Sequence, residues 1–319
     1  IMSISTVANI ETHHDEMIHD AQLDYYSRKL ATASSDRTIE IFDVNGEKTV
    51  KTAVLTGHEG PVWQVSWAHP RFGVLLASCS YDGTVLIFKE SSPGIWGVVY
   101  THRFHESSVN SLSWASQEFG LILACASSDG RVSILQHMDN ESWNVSTLQV
   151  SKMGCNSLSW APYGNVHGKD EITGRELLRL VTGSCDNQVK IWQCLAPVSG
   201  EVIGSGDLVW KEEEIHVENP HNDWVRDVAW APATGMPFNT IASCGDDKTV
   251  YIWTQKEGAN ADWSVAKMHN FSDTIWRLSW SITGNILAVS HGDDGVTLWK
   301  QNLEENWEKI SSVNESNNK

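Results

Sequence analysis

Two short sequence patterns alternate along the chain, and their repetition constrains the fold more than any other feature. The first pattern is an alternating run that ends in Ser-Trp or Ala-Trp, with the copies VWQVSWA, VNSLSWA, CNSLSWA, VRDVAWA and IWRLSWS. The second is a small-residue strand, an Asp and a strand with an apolar end, as in LATASSDRTIEIF, and it occurs six times. Its Asp recurs at intervals of 46 to 61 residues, which indicates an array of supersecondary units.

Two polar residues hold fixed positions in this repeat. An Asp lies six residues before the end of every second pattern: Asp36, Asp82, Asp129, Asp186, Asp247 and Asp293. A His lies nine residues before the end of four first patterns, counting a degenerate first copy that ends at Leu23: His14, His58, His105 and His221. A catalytic group is needed once, so residues that recur in unit after unit are predicted to be structural.

The local pattern predicts an all-β chain. Every candidate strand is short, alternating or rich in small residues, and it is bounded by turn formers such as Asp-Gly, Asn-Gln and Asp-Lys. No stretch has convincing helical periodicity. Two insertions, at 163–176 and 196–210, are polar and glycine-rich and are predicted to be surface loops.

Over nearly its whole length the chain resembles the WD-repeat family. The Gly-His pair of that family is complete at Gly57–His58. Its closing position holds Trp192, Trp253 and Trp299, replaced elsewhere by Phe42, Phe88 and Leu135. The resemblance implies a six-bladed β-propeller in which each repeat supplies one four-stranded blade. It also implies that each turn Asp accepts a hydrogen bond from the His of its blade, which satisfies a carboxylate that would be costly to bury alone.

The tryptophans fit the same repeat. One series ends the first pattern, and another opens a short strand that is predicted to be the outermost strand of its blade: Trp96, Trp143, Trp210, Trp263 and Trp307. These positions favour packing within and between blades over a ligand cage. The acidic run at 211–214 that follows Trp210 is interpreted as a solvated edge.

Composition excludes several functions. The formal net charge is −17, with 23 basic and 40 acidic residues and no cluster of Lys and Arg, which disfavours direct binding to nucleic acid or to an anionic membrane. The chain has no phosphate-binding loop, no H-E-x-x-H and no G-x-S-x-G motif, so no enzyme activity and no cofactor are predicted. None of the six cysteines has zinc-site spacing, and no metal is expected.

The strand count predicts a propeller that does not close on itself. The segment ENWEKISSV supplies the outermost strand of the last blade from the same repeat, whereas WD-repeat propellers usually take this strand from the N-terminal segment. Residues 13–313 would form six complete blades. Residues 1–12 would then contain a spare strand, STVANIE, and 314–319 a disordered tail. An open propeller predicts a partner that inserts β structure as a seventh blade.

Six apolar residues near the ends of the repeat array are the candidate partner-binding positions. They are Val7, Ile10, Ile18, Trp276, Leu298 and Trp307. The expected chemistry is backbone hydrogen bonding together with apolar burial along the first and last blades.

A narrower resemblance, to the Sec-thirteen family, covers about residues 8 to 310. It is carried by IHDAQLDYYSRKLATASSDRTIEIFDV and by TGHEGPVWQVSWAHPRFGVLLASCSYDGTVLIFKE. It implies a non-catalytic scaffold in the COPII vesicle coat of ER-to-Golgi protein transport and in the nuclear-pore Y-complex that serves mRNA transport. The implied partners are a Sec-thirty-one-type coat subunit, a scaffold nucleoporin with an α-solenoid and, in some organisms, a TORC1-regulating coat. The implied location is cytoplasmic, at ER exit sites and vesicles, and at nuclear pores.

Two other interpretations remain open on the sequence. One is the sister pore propeller of the Seh-one type, which has the same openness. The other is a closed WD-repeat adaptor that recognises a peptide on one face, and it would require the N-terminal segment to complete the last blade.

Overall fold

The computed structural model describes residues 10–46, 48–206, 208–233, 235, 237–257, 262–292, 295–302 and 304–313. Within this part of the chain, 24 strands form six antiparallel sheets of four strands each. The predicted all-β architecture of six WD-repeat blades is therefore confirmed. The spare strand predicted within residues 5–11 falls mostly outside the described residues, as do Val7, Asp293 and the tail 314–319. The described residues contain no helix long and apolar enough to cross a membrane.

Three blades lie in one compact unit, Thr6–Gln149. Blade 1 consists of β1 (Ile18–Leu23), β2 (Lys29–Ser34), β3 (Ile39–Asn45) and β4 (Lys48–Leu55). Blade 2 consists of β5 (Val62–Trp67), β6 (Leu75–Ser80), β7 (Val85–Ser92) and β8 (Ile95–His102). Blade 3 consists of β9 (Val109–Trp114), β10 (Ile122–Ser127), β11 (Arg131–His137) and β12 (Trp143–Gln149). In each sheet the strands pair in chain order.

The other three blades lie in a second compact unit that includes Val150–Lys319. Blade 4 consists of β13 (Cys155–Trp160), β14 (Leu177–Ser184), β15 (Val189–Leu195) and β16 (Lys211–Glu212). Blade 5 consists of β17 (Val225–Trp230), β18 (Phe238–Gly245), β19 (Thr249–Lys256) and β20 (Trp263–Asn270). Blade 6 consists of β21 (Ile275–Trp280), β22 (Ile286–His291), β23 (Gly295–Gln301) and β24 (Trp307–Val313).

Blade 4 departs from the sequence-based expectation at its edge. The strand predicted to begin at Trp210 is only two residues long, Lys211–Glu212, and the acidic run is not simply a solvated edge. The next residue, Glu213, still donates its backbone N–H to the carbonyl of Ile191 on β15 at 2.8 Å. Its carboxylate pairs with the buried guanidinium of Arg179, at 2.7 Å from Nη2. Glu213 is therefore part of the interior of blade 4, whereas Lys211, Glu212 and Glu214 are exposed.

The two insertions belong to blade 4 and pack on it. Arg175 in the first insertion pairs with Glu201 in the second at 2.6 Å. Ile203 and Leu208 of the second insertion are 1% and 4% exposed. In the first, Lys169 and Glu176 form an isolated antiparallel bridge. These loops are therefore anchored structure, although their tips keep exposed apolar residues such as Ile172.

The core lies between neighbouring blades because each sheet has two apolar faces. In the first unit, Ile41 of blade 1 belongs to the same buried cluster as Leu76 and Phe88 of blade 2. In the second, Cys244 of blade 5 shares a cluster with Leu287 of blade 6. Small residues such as Ala and Cys on the second strand of each blade let neighbouring sheets approach closely. This explains the runs of small residues that the sequence repeats.

Indole pairs recur at the ends of the blades. In each of blades 2 to 6, the Trp that ends the first strand contacts the Trp at the start of the outermost segment, with ring centroids 5.8 to 6.5 Å apart. In blade 2, Trp67 also donates its indole N–H to the carbonyl of Gln22 in blade 1, at 2.9 Å. The two tryptophan series therefore form one packing device within each blade.

Candidate partner-binding faces

The structure brings each of the four recurrent His residues into contact with the recurrent Asp of its own blade. The distance from His Nδ1 to Asp Oδ2 is 2.7 Å at Asp36, 3.3 Å at Asp82, 2.9 Å at Asp129 and 2.9 Å at Asp247. The histidines are His14, His58, His105 and His221, in the same order. Each Asp also accepts a backbone N–H from the residue two positions later. These hydrogen bonds hold the pKa of each carboxyl below its usual value against the opposing effect of burial.

Blade 5 carries the most extended form of this arrangement. Asp247 bonds His221, whose Nε2 lies 2.8 Å from the hydroxyl of Ser243, and the indole N–H of Trp253 donates to that hydroxyl at 2.9 Å. In blade 3 the position equivalent to Ser243 is Cys125, and His105 instead bonds Ser133 on β11 at 2.9 Å. Both ring nitrogens are thus committed to structural bonds.

Asp186 differs from these four. Its blade has Ser151 in place of the His, and Asp186 accepts the backbone N–H of Gln188 at 3.2 Å. Asp293 lies outside the described residues. Among the residues that the structure describes, no group of three His, Cys, Asp or Glu could hold a metal ion.

A second set of bonds, which the sequence analysis missed, joins neighbouring blades. The residue at the third position of a blade's first strand accepts the backbone N–H at the fourth position of the next blade's first strand. We call these third-position bonds. They run from Val65 N–H to Asp20 (3.1 Å), Leu112 N–H to Gln64 (2.7 Å), Val228 N–H to Ser157 (3.2 Å) and Leu278 N–H to Asp227 (2.7 Å). The available signal was that the third position of every first strand is polar, although the residue type changes.

Asp227 is the buried carboxylate among these acceptors, at 7% exposure. Its carboxylate accepts the hydroxyl of Ser157 at 2.5 Å and the backbone N–H groups of Val228 and Leu278. Burial raises the pKa of Asp227, while the positive charge of Arg277 and these hydrogen bonds oppose the rise. Arg277 itself occupies the third position of β21, which is the first strand of blade 6.

One face of blade 6 is less covered than its equivalents. The row that we call the blade-six face consists of Ala288, Ser290, Val296 and Leu298, and all four are half-buried. At the position of Leu298 the other five blades have an isoleucine that is no more than 6% exposed: Ile41, Ile87, Ile134, Ile191 and Ile252. The other three positions of the row are likewise buried in every other blade.

In blade 1, the opposite face of the sheet is more exposed than the equivalent face of the other blades. The row that we call the blade-one face consists of Ile18, Ala21, Leu23 and Leu30. Ile18 is 41% and Leu23 51% exposed, and Leu30 is half-buried. At the position of Leu30 the other blades have residues with 0% exposure: Leu76, Leu123, Leu180, Ile241 and Leu287. Apolar groups that the repeat buries elsewhere are therefore accessible at these two rows.

Of the six predicted partner-binding residues, two lie on these faces and the others lie elsewhere in the chain. Leu298 and Ile18 lie on the two faces, and Ile10 is a half-buried residue before β1. Trp307 packs against Trp280 and the core between blades 5 and 6, so it lies on the other side of blade 6. Trp276 is 51% exposed and also contacts blade 5, where the Arg226 guanidinium lies 5.1 Å from its ring. Val7 lies outside the described residues.

Six four-stranded blades with Asp–His bonds and paired tryptophans define a WD-repeat β-propeller protein. The family model described as WD domain, G-beta repeat, matches residues 49–89, 143–193 and 212–254, and that of the anaphase-promoting complex subunit 4 WD40 domain matches 74–165. The chain is 47% identical to the SEC13 homolog of Homo sapiens over 98% of this chain and 94% of that protein. It is 48% identical to the SEC13 homolog of Dictyostelium discoideum, over 96% and 98%. With protein transport protein SEC13 of Mycosarcoma maydis the identity is 41%, over 98% and 96%. The chain belongs to the SEC13 family.

Proposed function

We propose that this chain is a non-catalytic scaffold subunit that takes part in protein transport by accepting β structure from a larger partner. The printed names of several relatives, protein transport protein SEC13, support the transport role. The observation that carries the mechanism is the half-buried row Ala288, Ser290, Val296 and Leu298 on the blade-six face. In the other five blades the same row is buried, so this face is built to be covered.

The chemistry of both faces suits an inserted blade. When another sheet covers a solvent-accessible apolar row, burial of that row stabilises the complex by about 25 cal/mol for each Å² of apolar surface removed from water. The blade-one face adds a second apolar row, which includes Ile18 and Leu23. A partner that supplies a seventh blade would cover the blade-six face by side-chain packing of its sheet on this row.

The family relationship suggests which partners supply that blade. We infer a Sec-thirty-one-type subunit in the COPII coat of ER-to-Golgi transport. In the nuclear-pore Y-complex we infer a scaffold nucleoporin with an α-solenoid, and in organisms that have it a TORC1-regulating coat. The chain would rigidify the solenoid, and its association with membranes would be indirect. It would act at ER exit sites, on vesicles and at the nuclear envelope.

Occupied polar groups support the absence of catalysis. Both ring nitrogens of the recurrent histidines form hydrogen bonds within their own blades, as those of His221 do with Asp247 and Ser243. A general base needs a free nitrogen within reach of a substrate proton. The repeated positions therefore serve the fold.

The test compares two matched substitutions on blade 6. Leu298→Gln places a neutral polar group on the blade-six face, and Ile282→Gln does the same at a 94% exposed turn residue between β21 and β22. Burying Leu contributes about 1.5–3 kcal/mol, so Leu298→Gln should weaken partner binding about tenfold or more. Ile282→Gln should leave it unchanged.

The assay is affinity purification at native expression level, with a high-salt wash and stoichiometry read by mass spectrometry. We expect a large α-solenoid coat or pore subunit near one-to-one with the wild type and with Ile282→Gln, and its depletion with Leu298→Gln. Equal recovery with both variants would contradict the role of the face. Recovery of histones or ligase components in place of coat subunits would instead indicate a closed peptide-binding adaptor.

A further inference from the structure

The third-position bonds impose a direction on the blade array. In each described bond the earlier blade provides an acceptor side chain and the later blade provides a backbone N–H. The acceptors are Asp20, Gln64, Ser157 and Asp227. Any structure that follows a blade in this manner must therefore present a donor to that blade's third position.

The last blade breaks this rule. Its third position is Arg277, whose guanidinium has only donors and cannot accept the N–H of a following blade. Arg277 is half-buried between Ile275 and Leu278, which are 0% and 8% exposed. Among the described residues it makes no hydrogen bond or ion pair. The positive charge of Arg277 lowers the pKa of Asp227 electrostatically. Both carboxylate oxygens of Asp227, however, already accept hydrogen bonds from other groups.

A blade of the kind repeated in this chain would be a poor neighbour for Arg277. Its fourth-position N–H would meet guanidinium N–H groups, so that donors would face each other. Covering this part of blade 6 would also remove solvent from the charge, and an unpaired buried charge is costly. The neighbour must therefore bring an acceptor, and a neutral carbonyl would leave the charge uncompensated.

We propose that Arg277 selects the partner strand that covers blade 6 by pairing with a carboxylate, an Asp or Glu side chain on that strand. This inference rests on the proposed function. A carboxylate matches the planar guanidinium with two parallel hydrogen bonds. The same residue excludes blades that carry only an N–H at this level, so one side chain both attracts the acidic partner and rejects a further WD blade of this chain's own type.

The first test measures affinity for the Sec-thirty-one-type subunit of the same organism with purified proteins. Arg277→Gln removes the charge, Arg277→Lys keeps the charge without the planar fork, and Arg103→Gln removes the same charge from an exposed loop as a control. Truncating one member of a buried charge pair costs about 2–5 kcal/mol, so Arg277→Gln should bind about 30-fold more weakly or worse. Arg277→Lys should lie between Arg277→Gln and wild type, and Arg103→Gln should match wild type.

The outcomes separate this inference from the function on which it rests. If the wild type fails to bind the subunit, the proposed function fails. If the wild type binds and Arg277→Gln binds equally well, the scaffold function stands and the role of Arg277 is refuted. Thermal unfolding of each variant checks that a loss of affinity is not a loss of fold.

A second test identifies the carboxylate directly. In the Arg277→Lys complex, a water-soluble carbodiimide joins the introduced amine to a carboxylate in contact with it, with loss of one water. We expect mass spectrometry to find residues 275–280 linked to an acidic peptide of the partner. A link to a carboxylate of this same chain, or to a second copy of it, would overturn the proposal.

Discussion

A buried ion pair in blade 4 gives the sharpest test of how the second unit is held together. Arg179, on β14, is 2% exposed, and its Nη2 lies 2.7 Å from each carboxylate oxygen of Glu213. The same guanidinium donates to the carbonyl of Val166 at 3.1 Å and to Gln255 at 3.0 Å. Its centre lies 5.1 Å from the ring of Trp230. One cation thus joins β14, an insertion and blade 5.

The perturbation is Glu213→Gln, which keeps the shape and removes the counter-charge. The Arg179 side chain is 1% exposed and that of Glu213 14%, so water cannot replace the lost charge. Removing one partner of a buried pair costs about 3–5 kcal/mol. The double variant Arg179→Met/Glu213→Leu should be less destabilised than Glu213→Gln, because it leaves no charge unpaired. The indole N–H of Trp263, which donates to Glu213 at 2.9 Å, would still lose its acceptor.

The assay is urea unfolding followed by tryptophan fluorescence, with Glu214→Gln as the control. Glu214 is exposed, and its substitution should change the unfolding free energy by less than about 0.5 kcal/mol. A destabilisation by Glu213→Gln as small as that of the control would refute the assignment of Arg179 and Glu213 as a stabilising pair. A double variant less stable than Glu213→Gln would refute the argument that the unpaired charge dominates.

Three further outcomes are expected. Asp247→Asn should lower the unfolding free energy by about 2 kcal/mol, because the hydrogen bond between Asp247 and His221 is charge-assisted. Asp186 has no His partner, so Asp186→Asn should lower it by less than about 1 kcal/mol. Equal effects of the two substitutions in urea unfolding would contradict this. Burial lowers the pKa of His102 from 6.5 to about 4, so the folded state binds fewer protons in this range. Stability should fall as the pH drops from 6.5 towards 4, by up to about 3 kcal/mol, and His102→Gln should remove that part of the slope in unfolding curves measured at several pH values. Burial also raises the pKa of the Cys155 thiol to about 12 and that of Cys194 to about 11, so iodoacetamide should label both only after unfolding, as peptide mass spectrometry can show; rapid native labelling would contradict this.

Local spacing explains why the fold could be predicted. In the four repeats with a His–Asp pair, the Asp lies in a tight turn and the His lies 22 to 26 residues before it. The pairing at Asp36 or Asp247 therefore depends mainly on one hairpin and the strand before it. Strand alternation and turn formers likewise act within a few residues. Such features repeat in the sequence because each blade needs them separately.

Relations between blades were harder to predict. The third-position bonds join residues 45 to 71 positions apart, and their acceptor changes from Asp to Gln to Ser, so no fixed residue type marks them. The inward turn of Glu213 depends on Arg179, which lies 34 residues earlier on another strand. The interpretation of the acidic run as a solvated edge therefore holds for the exposed Lys211, Glu212 and Glu214 and is wrong for Glu213, whose buried partner is not visible in the local sequence.

The sequence by itself determined the class of fold, the number of blades, the strand order and the family. The reason is that strand periodicity and turn-forming residues act over a few residues and recur in each of the six repeats. Only the tertiary structure decided which apolar residues remain accessible. Leu298 and Ile41 are equivalent in the repeat, yet one is half-buried and the other has 0% exposure. Burial depends on what packs against a residue, and a residue's neighbours in space are not set by its neighbours in the chain.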